Sequence, residues 1–111
     1  MDNIKDDAYY LKKILRDARF IIENTAGITQ EELESNEILC DSALFRLIQI
    51  SENSLRLSQE FRDAHGDIPW HAIKGMRNRI VHEYGEMHLQ IVYDTVTKSI
   101  PEICGKLEAL L

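Results

Sequence analysis

With 111 residues, 44% of them hydrophobic and 29% charged, the chain has the size and make-up of one globular domain spanning residues 1–111. A formal net charge of −6 excludes the broadly basic surface of a nonspecific nucleic-acid binder, but the charge is uneven. Residues 31–41 carry Glu31, Glu32, Glu34, Glu37 and Asp41 with no base, whereas residues 71–85 carry Lys74, Arg77 and Arg79 against Glu83 alone, so a local basic patch remains open.

No apolar run nears the roughly 18 residues of a membrane span, and Met1–Asp7 lacks signal-peptide character, so no membrane association and a cytoplasmic location are expected. Cys40 and Cys104 form neither a disulfide framework nor a metal knuckle and are expected as buried, reduced thiols.

Helical periodicity dominates. Ile4, Ala8, Leu11, Leu15, Ala18 and Ile22 recur at 4-3-4-3-4 spacing, one apolar stripe on a first helix of about six turns that Gly27 ends. Thr29-Gln30-Glu31-Glu32 reads as a capping box opening a short helical turn. A second long helix is expected over about 36–64, with Leu44, Leu47, Ile48, Leu55 and Phe61 inward. On it Arg46, Gln49, Asn53, Arg56 and Glu60 form one polar row, either a solvated face or, at Arg46 and Asn53, part of a cleft. Ser51, Ser54 and Ser58 suggest close helix packing.

Gly66 and Pro69 introduce a third helix, about 69–84, that stops at Gly85, with Trp70 as a core anchor. The final stretch bears Leu89, Val92, Val96, Ile100, Ile103, Leu107 and Leu110 on one stripe, which Pro101 must kink or restart. No alternating run suggests a strand. The expected fold is all-α, an antiparallel four-helix bundle with a short extra helical turn.

The third helix carries the chemistry. At about 100° per residue, Arg77 falls among Trp70, Ile73, Ile80, Val81 and Tyr84, in the middle of the apolar stripe, where a guanidinium needs a carboxylate or phosphate. His82 lies about 140° away, beside Asn78 and Gly75. A mid-helix glycine costs roughly 1 kcal/mol of propensity, a cost explained if another backbone approaches there, at a helix crossing or a two-fold interface. Spacing alone leaves two readings open: a structural ion pair of Arg77 with Glu52 and a dipole-stabilised helix-end His82, or a catalytic pair. His82 and His88 lack the i, i+4 partner that a zinc site favours, so no metal is expected.

Arg77-Asn78-Arg79-Ile80-Val81-His82 has the form R-N-x-x-x-H, and Tyr84 extends it to R-x4-H-x-Y. This resembles the signature of HEPN domains, in particular of the HepT-like toxins. Trp70-His71-Ala72-Ile73-Lys74-Gly75-Met76 resembles the W-x-x-I-x-G-M that leads into it. Residues 46–53 resemble a diverged R-x-x-x-I-G-E-A stretch, with Ser51 and Asn53 in place of Gly and Ala.

The resemblance implies a HEPN-like bundle acting as a metal-independent endoribonuclease toxin without a cofactor. It implies a homodimer whose two Arg77/His82 motifs share one cleft. Arg77 would grip the scissile phosphate of an RNA substrate and His82 would move protons, with Asn78, Arg46 and Glu52 in support. Tyr84 stands where such toxins receive AMP from a cognate nucleotidyltransferase antitoxin, unless it merely closes the core. The alternative is a non-catalytic HEPN-like module that binds a nucleotide or a partner.

Overall fold

The computed structural model describes residues 5–83 and 89–111. Helix α1 (Asp7–Thr25) begins where the Asp6 carboxylate accepts the Tyr9 amide hydrogen at 3.0 Å. Its buried apolar side chains are Leu11, Ile14, Leu15, Ala18 and Ile21, whereas Ala8 is exposed and Ile22 only half-buried. The inward stripe is therefore turned slightly from the expected one, because Ile14 and Ile21 offer more apolar area to the core than Ala8. Ile4 lies outside the described residues. Gly27 stops the helix with φ +70, a backbone shape that a residue with Cβ rarely adopts.

The expected capping box is present. Thr29 Oγ1 accepts from the Glu32 amide at 3.1 Å, and the Glu32 carboxylate accepts from the Thr29 amide at 2.9 Å, opening α2 (Gln30–Ser35). Asn36 then caps two helices. Its amide closes α2 on the Leu33 carbonyl, and its side chain accepts from the Leu39 amide to start α3 (Glu37–Arg56).

The single helix expected over 36–64 is two. α3 ends at Arg56, Leu57 turns extended, and Ser58 caps α4 (Gln59–Ala64) by accepting from the Phe61 amide at 3.0 Å. The Asp7 carboxylate takes both the Ser58 amide and the Ser58 hydroxyl at 2.7 Å, tying the break to the first turn of α1. The break lets Leu57 be buried at 2% exposure while Leu55, expected inside, is 41% exposed. It also dissolves the expected polar row: Glu60 belongs to α4, and Asn53 is buried at 2%.

Helix α5 (Trp70–Glu83) follows a turn in which the Trp70 indole N–H donates to the Arg62 and His65 carbonyls, at 3.2 and 3.0 Å. Trp70 packs against the core, edge-on to Phe61, as a core anchor should. Tyr84 and the expected stop at Gly85 lie outside the described residues.

The C-terminal run comprises α6 (Leu89–Asp94), a π-helical turn (Thr95–Ser99) and α7 (Ile100–Glu108) without interruption. Pro101 thus neither breaks the run nor forces a loop. It falls in the first turn of α7, just after the wide turn in which the Ile100 amide reaches back to the Thr95 carbonyl. One extra residue in that turn accommodates the proline ring and its missing N–H.

α1, α3, α5 and the C-terminal run form an all-α bundle around one apolar core, with Leu15, Ile21, Leu33, Ile50, Ile73, Val96, Ile100 and Leu107 at its centre. α1 lies antiparallel to α3, since Asp7 meets Ser58 and Asp17 meets Arg46. Helix α3 packs against both α1 and α5, so it positions the candidate site. Cys40 and Cys104 are buried and free, as expected. No helix among the described residues is long and apolar enough to cross a membrane.

Candidate active site

On α5 the buried side chains are Ile73 and Ile80, with Met76 and Trp70 half-buried against the core. At about 100° per residue this stripe is centred roughly 60° from Arg77. Arg77 therefore sits at the margin of the apolar face and not in its middle. Its side chain is 40% exposed, and Val81 on its far side is 49% exposed. A guanidinium at this boundary keeps its stem on apolar surface and its head in reach of water, at much lower desolvation cost than a central site.

The head is held. Arg77 Nε donates to Glu52 Oε1 of α3 at 2.9 Å, and Arg77 Nη1 donates to Asn78 Oδ1 at 3.4 Å. Of five guanidinium N–H donors, these bonds commit two, and the side chain keeps two-fifths of its surface exposed. The spacing-based reading of an ion pair between Arg77 and Glu52 is therefore correct as geometry. It is compatible with the catalytic reading, because a carboxylate on one edge presents the other edge for a phosphate.

Ser51 is fully buried, and its hydroxyl donates to the Lys74 carbonyl at 3.3 Å, so the α3–α5 contact is made by hydroxyl and backbone where glycine is usual in the resembling stretch. Two residues on, Asn53 Nδ2 donates to the Gln49 carbonyl at 2.9 Å. Its buried Oδ1 has no hydrogen-bond partner among the described residues.

Asn78 and His82 are exposed on the outer side of α5, with His82 in its last turn. Gly75 shares that side, and a Cβ built there meets nothing within 4 Å. No backbone among the described residues makes the close approach expected at Gly75. Within one chain Arg77 faces the α3 side and His82 the solvent side.

Among the supporting residues, Glu52 and Asn78 touch Arg77, and Arg46 does not. Arg46 lies in the α1–α3 seam, 2.7 Å from Asp17 Oδ1, with its guanidinium 4.0 Å from the centre of the Phe20 ring. Six residues of α3, about 9 Å, separate it from Glu52. Asp17 and Phe20 were not legible as its partners. Their spacing on α1 shows which residues share a face, but the pairing exists only once α1 and α3 are packed. Tyr84 lies outside the described residues, and among those described no three His, Cys, Asp or Glu side chains cluster as a metal site would require.

An all-α bundle with an arginine held by a carboxylate, five residues before an exposed helix-end histidine, defines the class. The sequence profile described as "Ribonuclease HepT-like" matches residues 14–110. The "Putative RNase TTE0752" of Caldanaerobacter subterraneus subsp. tengcongensis is 34% identical over 102 residues, 92% of this chain and 91% of its own length. The "Probable ribonuclease HepT" of Thermococcus cleftensis is 31% identical over 106 residues, 91% of this chain and 92% of its own. The "Gamma-glutamylcyclotransferase and putative RNase MJ0434" of Methanocaldococcus jannaschii is 30% identical over 99 residues, which span 89% of this chain but 45% of that longer protein. No solved structure matches the chain. The chain belongs to the ribonuclease HepT-like family of HEPN domains.

Proposed function

We propose that this protein is a metal-independent endoribonuclease of toxin type, acting as a homodimer whose two Arg77/His82 motifs line one cleft. The observation that carries the reading is the placement of Arg77. It is anchored through Nε to Glu52 and beside Asn78, with its side chain two-fifths exposed, one and a half turns before an exposed His82. The open surface over Gly75, on the side of Asn78 and His82, supports a partner copy there.

In this mechanism Arg77 holds the scissile phosphate with a two-pronged hydrogen bond and stabilises the charge that grows on its oxygens. One His82 imidazole takes the proton of the RNA 2′-hydroxyl as that oxygen attacks phosphorus. The bond from phosphorus to the 5′-oxygen breaks, and the partner subunit's His82, protonated, gives its proton to the leaving oxygen. The products are a 2′,3′-cyclic phosphate and a free 5′-hydroxyl. The 140° between Arg77 and His82 on one helix is the reason to place the acid and base on two subunits.

Neutralisation is assigned to a cognate nucleotidyltransferase antitoxin that transfers AMP from ATP to the Tyr84 hydroxyl, with pyrophosphate as the leaving group. Tyr84 stands two positions after His82 in the sequence, and a nucleotide on it would add phosphate and adenine beside the motif and compete with RNA.

The test is expression of wild type, Arg77→Ala and His82→Ala in a host without the antitoxin, with cleavage measured on purified protein. Growth arrest and RNA cleavage by wild type only, with each variant about 100-fold or more slower, are expected. Arrest by none of the three, with no RNA cut, would make the chain a non-catalytic binding module. Intact-mass analysis after incubation with the nucleotidyltransferase and ATP should show added AMP, lost in Tyr84→Phe.

A further inference from the structure

The outer face of α1 carries Tyr9, Lys13, Arg16 and Phe20 at 4-3-4 spacing, a single row that the core does not use. Lys13 Nζ lies 5.4 Å from the centre of the Tyr9 ring. Across the seam, α3 adds Arg46, stacked on Phe20, and Phe45, a ring 57% exposed. Three adjoining shallow hollows of about 310, 340 and 240 Å³ lie along this seam, and Arg46 borders each of them.

The chain is acidic overall, yet among the described residues no carboxylate pairs with Lys13 or Arg16. Asp17 is taken up by Arg46, which leaves Glu23 and Asp41 at the rims. Two cations without carboxylate partners, beside the exposed Tyr9 and Phe45 rings and the half-buried Phe20, suit phosphates and unpaired bases.

The seam and the candidate active site share one ridge of α3. Phe45, Gln49 and Glu52 recur at 4-3 spacing on the outer ridge of α3, and Glu52 is the residue that holds Arg77. A strand whose phosphate rests on Arg77 therefore crosses this ridge over Phe45 and comes down onto Arg16 and Lys13. A duplex does not suit the path, because exposed rings stack only on bases freed from pairing.

We propose that the α1–α3 seam is a track for single-stranded RNA leading away from Arg77, so that the preferred substrate is an unpaired strand several nucleotides long. This rests on the ribonuclease reading for the direction of the strand.

Binding is to be measured by fluorescence anisotropy with a labelled single-stranded oligoribonucleotide, in a His82→Ala background that keeps the strand intact. Phe45→Ala should weaken binding about 5-fold or more. The double variant Lys13→Gln with Arg16→Gln should lower the slope of log affinity against log salt by about 1.4. Lys98→Gln, an exposed cation outside the seam, should change neither. With His82 restored, the seam variants should still cut a dinucleotide at the wild-type rate.

Tight binding by the parent that the seam variants leave unchanged would overturn the track. So would a change in their oligomeric state by light scattering at unchanged RNA affinity, which would make the seam a contact between copies. A chain that binds RNA through the seam but cuts none would sink the nuclease reading and keep the track. One that neither binds nor cuts would overturn both.

Discussion

At the scale of single residues, the placement of Arg77 matters more than its presence. A guanidinium at the edge of an apolar face keeps donors free only if something fixes its orientation, and here Glu52 does so from a neighbouring helix. Glu52→Gln should therefore separate function from stability. The pair is about two-fifths exposed on each side, so its loss should cost less than about 1 kcal/mol in urea denaturation. On the ribonuclease reading the same change should slow RNA cleavage roughly 10-fold or more, since a misplaced phosphate anchor is felt directly in the transition state. Cys104 illustrates a different residue-level effect. Burial, reinforced by a 3.5 Å contact with the Glu108 carboxylate, pushes its thiol from an ordinary 9.0 up to about 11. The unfolded chain then loses this proton first as pH rises. The stabilising contribution is complete below about pH 9 and is lost as pH climbs through about 11. Urea denaturation of wild type and Cys104→Ala across that window should show the stability gap between them narrowing, and alkylation of Cys104 should be slow in the folded state.

At the scale of elements, the joints between helices are built from polar side chains rather than from flexible linkers. Asn36 serves α2 and α3 at once, and Ser58 starts α4 while fastened to Asp7 of α1. Ser58→Ala removes both the cap and a bond to a carboxylate, so a loss of about 1–2 kcal/mol is expected by thermal or urea denaturation. The π-helical turn before Pro101 is the same kind of solution within a helix, because one extra residue absorbs what would otherwise be a break. Capping was readable in advance at Thr29, where Glu32 completes a local motif three residues on. It was not readable at Ser58, whose second partner is 51 residues away.

At the scale of the whole molecule, the candidate groups of this 111-residue bundle lie on the outside of α5 and α3. If the working unit is a homodimer, association stabilises the folded chain by mass action, and the melting temperature should rise with protein concentration. A melting point independent of concentration over a hundred-fold range would argue for a monomer.

Several features were determined by the sequence alone, because they depend on neighbours in the chain: the helical class, the capping box, the stop at Gly27 and the motif spanning Arg77 and His82. The division of the long central helix, the burial of Asn53, the marginal position of Arg77 and the pairing of Arg46 with Asp17 were decided only by the tertiary structure. Each of these depends on which surfaces meet when α1, α3 and α5 pack. Periodicity ranks the residues of one helix by face, but it holds no information about the carboxylate that a neighbouring helix brings to within 3 Å of an arginine.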